Sequence, residues 1–229
     1  MFDNWTLRKR LTLTFAAILL LAGSLLGLAL VNTGKLRDTV QWNTHTYEVI
    51  ARSDSMLLNM VNIETGLRGF VAGGHEKFLE PYTAGEQAFG VAFKEARTLT
   101  SDNPAQQGRL DKLMVNHQQF MAVANALVTL RRDTTAGKTT QDELLREFSA
   151  GEDKAAMDAF RGGIAEFAKA ESDLLVVRSA ALQSIMSFTS LTLLFGGVGL
   201  FVLTILLGMS LTRSVFRELG AEPSERQPR

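Results

Sequence analysis

The sequence predicts an all-α protein: two transmembrane helices flank an extracytoplasmic up-down four-helix bundle. Three observations carry that prediction. Two long apolar runs without a charge, Leu11–Val31 and Phe188–Leu211, lie near the two ends of the 229-residue chain. Between them apolar residues recur every three or four positions, with no strand-like alternation. Only four prolines interrupt the chain, Pro81, Pro104, Pro223 and Pro228, which leaves room for long helices.

The apolar runs come first. At ~1.5 Å per residue, the 21 residues of Leu11–Val31 cover a hydrocarbon core of roughly 30 Å, and the 24 residues of Phe188–Leu211 do so with length to spare. A chain in lipid must satisfy its own backbone hydrogen bonds, so both runs are expected to be helical. Arg8, Lys9 and Arg10 precede the first run, and Arg213 and Arg217 follow the second. Basic flanks stay inside, so both termini are expected in the cytoplasm. The expected organisation is a cytoplasmic N-terminus (1–10), a first span (11–31), a periplasmic domain (32–187), a second span (188–211) and a cytoplasmic tail (212–229). Trp5 is placed to anchor the first interface. The rival for the first run is a cleaved signal peptide, but the run exceeds a usual h-region and no clear Ala-x-Ala site follows it. Gly23-x-x-x-Gly27 reads equally as a helix-pairing motif or as incidental glycine.

Composition narrows the function. Lysine plus arginine and aspartate plus glutamate balance at 24 each, so no field draws the chain to nucleic acid. Absence of cysteine removes disulfides, thiolate metal sites and cysteine nucleophiles.

In the middle region, a first helix is read through Leu36, Val40, Asn43, Tyr47, Ile50, Asp54, Leu57, Val61, Glu64 and Arg68, a heptad seam with polar interruptions continuing from the first span. Gly73-Gly74 stops it. A second helix follows Pro81 and carries Phe89 and Phe93. Thr100 to Pro104 form a turn rich in N-cap residues. A third helix shows Leu110, Leu113, His117, Phe120, Ala124 and Leu127 in register. A loop over Thr134–Thr140 and a short helical piece around Leu144–Phe148 lead to Gly151. The last helix aligns Met157, Phe160, Ile164, Phe167, Glu171, Leu174 and Arg178 and runs on toward the second span. Four amphipathic helices hide their stripes most economically against one another.

Glu64 and Arg68, four apart with the acid first, form a favourable helix pair. Arg178 and Glu171 on the last helix are expected to approach them. Gly66 and Gly69 permit close approach of a neighbour. These six residues make up the candidate structural or signalling cluster: a network that fixes how the helices pair, ahead of one whose rearrangement changes helix register. His117 reads as a core residue with satisfied hydrogen bonds, and Glu152-Asp153 as a solvated helix start. His45, His75 and His117 lack zinc-site spacing, and no phosphate loop or catalytic constellation appears. No catalytic residue, metal site or cofactor is expected, and no ligand-binding residue can be named.

Two stretches carry a family resemblance. Glu64-Thr65-Gly66-Leu67-Arg68-Gly69-Phe70, then Gly73, then Phe78-Leu79-Glu80-Pro81-Tyr82, resemble the signature of CHASE3 domains. Met157-Asp158 to Arg161, then Glu171, Leu174, Leu175 and Arg178, resemble that family's final helix. The likeness spans roughly residues 35–180. It implies an extracytoplasmic sensory module of bacterial receptors, hence a multi-pass protein of the bacterial inner membrane. Leu211-Thr212-Arg213-Ser214-Val215 to Leu219-Gly220-Ala221-Glu222-Pro223 is similar to the start of HAMP segments in methyl-accepting chemotaxis proteins, with Ala221 at the usual second glycine. The sequence continues six residues beyond Pro223. The resemblance thus implies the sensing half of a chemoreceptor, not itself an enzyme, with the output half absent. Expected partners are the membrane, a second copy in a homodimer, and other chemoreceptors. The alternatives are a standalone membrane regulator that pairs with full-length receptors, and the input half of a CHASE3 histidine kinase.

Overall fold

The structure is a computed structural model and describes residues 7–219. Trp5 and the Gly220–Pro223 part of the HAMP-like element lie outside the described residues. Five α-helices occur in order: α1 (Leu7–Gly73), α2 (Glu80–Leu99), α3 (Pro104–Thr135), α4 (Gln141–Ser149) and α5 (Glu152–Leu219), with a 3-10 turn at Glu76–Leu79. There is no strand among the described residues. The chain divides into two compact units, Gln41–Ser179 and the pair Met1–Val40 with Ala180–Arg229, and α1 and α5 supply residues to both.

Local chemistry sets the helix ends. Gly74 closes α1 in the left-handed region (φ 68°), where a Cβ would be strained, and its N–H bonds the Phe70 carbonyl. Pro81 sits in the first turn of α2, where its missing N–H costs nothing. Asn103 caps α3 by accepting from the Gln106 N–H at 3.2 Å, and Thr140 caps α4 through the Glu143 N–H.

In the Gln41–Ser179 unit the four long helices form an up-down bundle. Antiparallel neighbours follow from the pairings: His45 of α1 meets Leu99 of α2, and Gly66 of α1 meets Tyr82. Phe89 of α2 meets His117 of α3, Gln106 of α3 meets Glu171 of α5, and Glu64 of α1 meets Arg161 of α5. The core holds Met56, Met60, Ile63 and Leu67 of α1, Phe89 of α2, Leu110, Leu113 and Phe120 of α3, and Met157, Phe160 and Phe167 of α5. Leu144 of α4 completes it.

The α1 stripe differs from the one read in the sequence. The inward stripe runs through Asn43, Thr46, Val49, Ser53, Met56, Met60, Ile63 and Leu67, with Asn59 and Glu64 buried beside it, while Val40, Tyr47 and Asp54 are exposed. From Tyr47 onward the sequence seam runs one residue late, a rotation of about 100°. α1 carries two overlapping 3–4 repeats, and the one richer in methionine faces the core. The seams read for the third and last helices face inward as expected.

In the other unit, the apolar stretches of α1 and α5 are both long and apolar enough to cross a membrane. Their large side chains point outward: Leu19, Leu20, Phe195 and Phe201 are each at least two-thirds exposed. Hydroxyls within the runs bond their own helix, as Ser24 does to the Leu20 carbonyl and Thr204 to the Leu200 carbonyl. Leu25 packs onto Gly196, where any Cβ would collide with it. Gly23 and Gly27 face no neighbouring atom within 4 Å.

Candidate functional site

Polar side chains of the bundle gather in two layers, one near the α1–α2 turn and one near the α2–α3 turn. The first centres on Glu64, buried on α1. Its carboxylate accepts from Arg68 one turn on (3.0 Å) and from Arg161 of α5 (2.8 Å). Arg68 also reaches Asp153 of α5 at 3.3 Å, and Arg161 pairs with Asp158, which in turn pairs with Lys154. Both arginines bind Glu64 from partly exposed positions, Arg68 reaching on to Asp153 and Arg161 to Asp158, whereas Glu64 and Asp153 are buried. Two buried carboxylates thus sit between two arginines whose stems lie along the surface.

Here the structure departs from the sequence reading in three ways. The partners of Glu64 and Arg68 on the last helix are Arg161 and Asp153; Arg178 and Glu171 make no bond to either among the described residues. Arg178 and Glu64 lie on α5 and α1 turns that are several helical turns apart, because the antiparallel pairing sets Arg178 opposite Thr46. Asp153 is buried and paired, not a solvated helix start. A signal for it exists: Asp153 stands one turn before Met157 in the same inward register.

Gly66 and Gly69 are also placed by this layer. A Cβ on Gly66 would come within 2.7 Å of the Tyr82 backbone nitrogen, so α1 and α2 touch there backbone to backbone. Gly85 of α2 returns the contact: a Cβ there would come within 2.8 Å of the Asn59 carbonyl oxygen. Gly69 lies under the Phe78 ring, and a Cβ there would sit tightly against it, 3.3 Å from the ring edge. Tyr82 itself is buried, donates to Asn125 Oδ1 at 2.9 Å, and has its pKa pushed up to about 12 by burial, with Glu86 adding to the effect. Nearby, Arg132 grips Glu76 with two bonds of 2.8 Å, which holds the Glu76 carboxyl below its usual range.

The second layer is built on Glu171, buried on α5. Gln106 of α3 donates to it at 2.6 Å and to the Phe167 carbonyl, while Arg109 donates to the Gln106 side-chain oxygen. Arg178 of α5 donates to Thr46 and to the Trp42 carbonyl, and its guanidinium lies over the Trp42 ring. Between the layers His117 stacks flat on Phe89, centroids 4.0 Å apart, with Phe160 edge-on to Phe89. Neither ring nitrogen of His117 has a hydrogen-bond partner among the described residues. The residue is a core histidine, but not a satisfied one, and burial pulls its pKa down to about 4.

These inward ionic and amide groups bridge α5 to α1 and α3, within a bundle that matches the CHASE3 domain family over residues 39–181. The chain belongs to the CHASE3 family. In fold, its CHASE3 unit is similar to the crystal structure of the Rhodopseudomonas palustris histidine kinase HK9 sensor domain. That likeness has a TM-score of 0.51 and 20% identity, and covers 57% of this chain and 98% of that one. No curated protein matches the chain. The protein therefore carries a CHASE3 sensory input module together with two helices of membrane-spanning length and apolarity.

Proposed function

We propose that the protein is a transmembrane sensor of chemoreceptor type, which passes a periplasmic stimulus across the membrane by displacement of α1 and α5. One observation carries the reading. The Glu64–Arg68–Asp153–Arg161 network joins α1 to α5, and these same two helices hold the apolar runs. A stimulus that favours one arrangement of the network biases the two helices that enter the membrane. Only differential affinity for two arrangements can do this.

A second copy belongs to this reading. The second α1 repeat, with Val40, Tyr47 and Asp54 exposed and Leu57 and Val61 half-buried at the edge of the core, offers a seam to a parallel partner. Single cysteines along residues 36–64 test it cleanly, since the chain has none of its own. Cross-linking in membranes is expected to peak at Val40, Tyr47, Asp54 and Val61. A flat profile removes the dimer and, with it, the chemoreceptor-like arrangement.

The fold likeness to a histidine kinase sensor domain favours a second reading, the input portion of a sensor kinase. The reading frame downstream of residue 229 separates the two. A kinase-coupling hairpin there supports the chemotaxis lineage, and a histidine-kinase core supports the other.

A further inference from the structure

We propose that Trp42, His45 and Arg178 form a clasp that sets the register of α5 against α1 at the boundary of the CHASE3 unit. The inference deepens the receptor reading, on which it rests, by naming where helix displacement is controlled.

Trp42 and Arg178 each stand one residue inside the limits of that unit, Gln41 and Ser179. The guanidinium carbon lies 5.0 Å from the Trp42 ring centroid, within cation–π range. Arg178 Nη1 donates to the Trp42 carbonyl at 3.2 Å and to the hydroxyl of Thr46, which is fully buried. That hydroxyl donates in turn to the Trp42 carbonyl at 3.0 Å. One turn of α1 is thus gripped on both ring and backbone by one side chain of α5.

His45 ties the same turn to α2. Its ring meets Trp42 edge-on, centroids 5.6 Å apart, and its Nε2 lies 2.9 Å from the Leu99 carbonyl oxygen. A carbonyl only accepts, so Nε2 carries the proton and donates. Leu99 is the last residue of α2, where a helix leaves its carbonyls without intrahelical donors. The end of α2 is therefore linked through His45 and Trp42 to Arg178.

Planarity makes this clasp a register device. A slide of α5 by one residue moves the guanidinium about 1.5 Å, and the accompanying rotation of about 100° carries it off the ring. The next ionic tie between α1 and α5, Arg161 to Glu64, lies about 25 Å further along α5 and holds the register at the other end of the unit.

The test uses the full chain in native membranes, with Leu25→Cys combined in turn with Thr192→Cys, Gly196→Cys or Leu200→Cys. Leu25 faces Gly196, so oxidation of the otherwise unaltered chain is expected to favour the 25/196 pair. Arg178→Gln, Trp42→Leu and His45→Leu are each expected to cut the 25/196 yield about two- to fivefold, the scale of one lost cation–π contact, and to raise a neighbouring pair. Trp42→Phe keeps a ring face and is expected to stay near the parent profile. Helix content by circular dichroism confirms that each variant folds; if Trp42→Leu does not, Arg178→Gln decides. An unchanged profile in Arg178→Gln overturns the clasp, and so does a Trp42→Phe profile as altered as that of Trp42→Leu. This readout lies within one chain, so loss of the two-copy cross-linking pattern would strike the receptor reading without touching it.

Discussion

Glu64 and Asp153 are acids that the fold buries, while the arginines that neutralise them keep contact with water. Removal of the two sides therefore has unequal consequences. Arg68→Leu with Arg161→Leu strands two buried carboxylates and is expected to cost about 3–5 kcal/mol. Glu64→Leu leaves cations that can turn to solvent and is expected to cost well under half of that. Urea unfolding of the detergent-solubilised chain measures the difference; equal losses would mean the carboxylates are effectively solvated. His117 supplies a pH effect of definite sign. Its proton is bound in the unfolded chain below pH 6.5 and in the folded chain only below about 4. Stability is therefore full above pH 6.5 and falls as the pH drops toward 4. Because the residue as a whole is only partly buried, the loss is about 1–2 kcal/mol. His117→Phe is expected to flatten that part of the Tm–pH curve, and an unchanged slope would show that the acid sensitivity lies elsewhere. Residue-level partners were only partly legible in the sequence. The Glu64–Arg68 pair follows from i,i+4 spacing alone, whereas Asp153 and Arg161 become its neighbours only once the antiparallel pairing of α1 and α5 is fixed. His117 showed its seam position but not its lack of hydrogen-bond partners.

At the scale of elements, close approach of α1 and α2 depends on two glycines whose absent side chains make room for backbone. Gly66→Ala is expected to push the helices apart and cost about 1–3 kcal/mol, because the obstacle is the Tyr82 backbone and not a side chain that can turn away. Gly162→Ala on α5 meets open space and is expected to be neutral or slightly stabilising through helix propensity. Thermal melts of the two variants check the contrast. Helix boundaries were readable because Gly74, Asn103 and Thr140 act through local chemistry. The inward face of α1 was not, since two apolar repeats share that helix, and only packing against α2, α3 and α5 selects between them. The exposed positions of the other repeat, Val40, Tyr47 and Asp54, are those proposed to meet a second copy.

For the whole molecule, the proposed receptor reading places the bundle on one side of the membrane and both termini on the other. α1 and α5 then carry whatever the bundle registers, held at the Glu64 network and at the Trp42–Arg178 clasp. The loop between α3 and α4 gives the most direct access to this arrangement, because Gly137 and Lys138 lie on the surface far from both apolar runs in sequence. The deciding measurement is labelling of Lys138→Cys and, separately, Ser224→Cys with a membrane-impermeant maleimide added to cells whose inner membrane is intact but whose outer membrane is permeable to the reagent. The account predicts modification at 138 without lysis and at 224 only after lysis. Protection of 138 until lysis would contradict it.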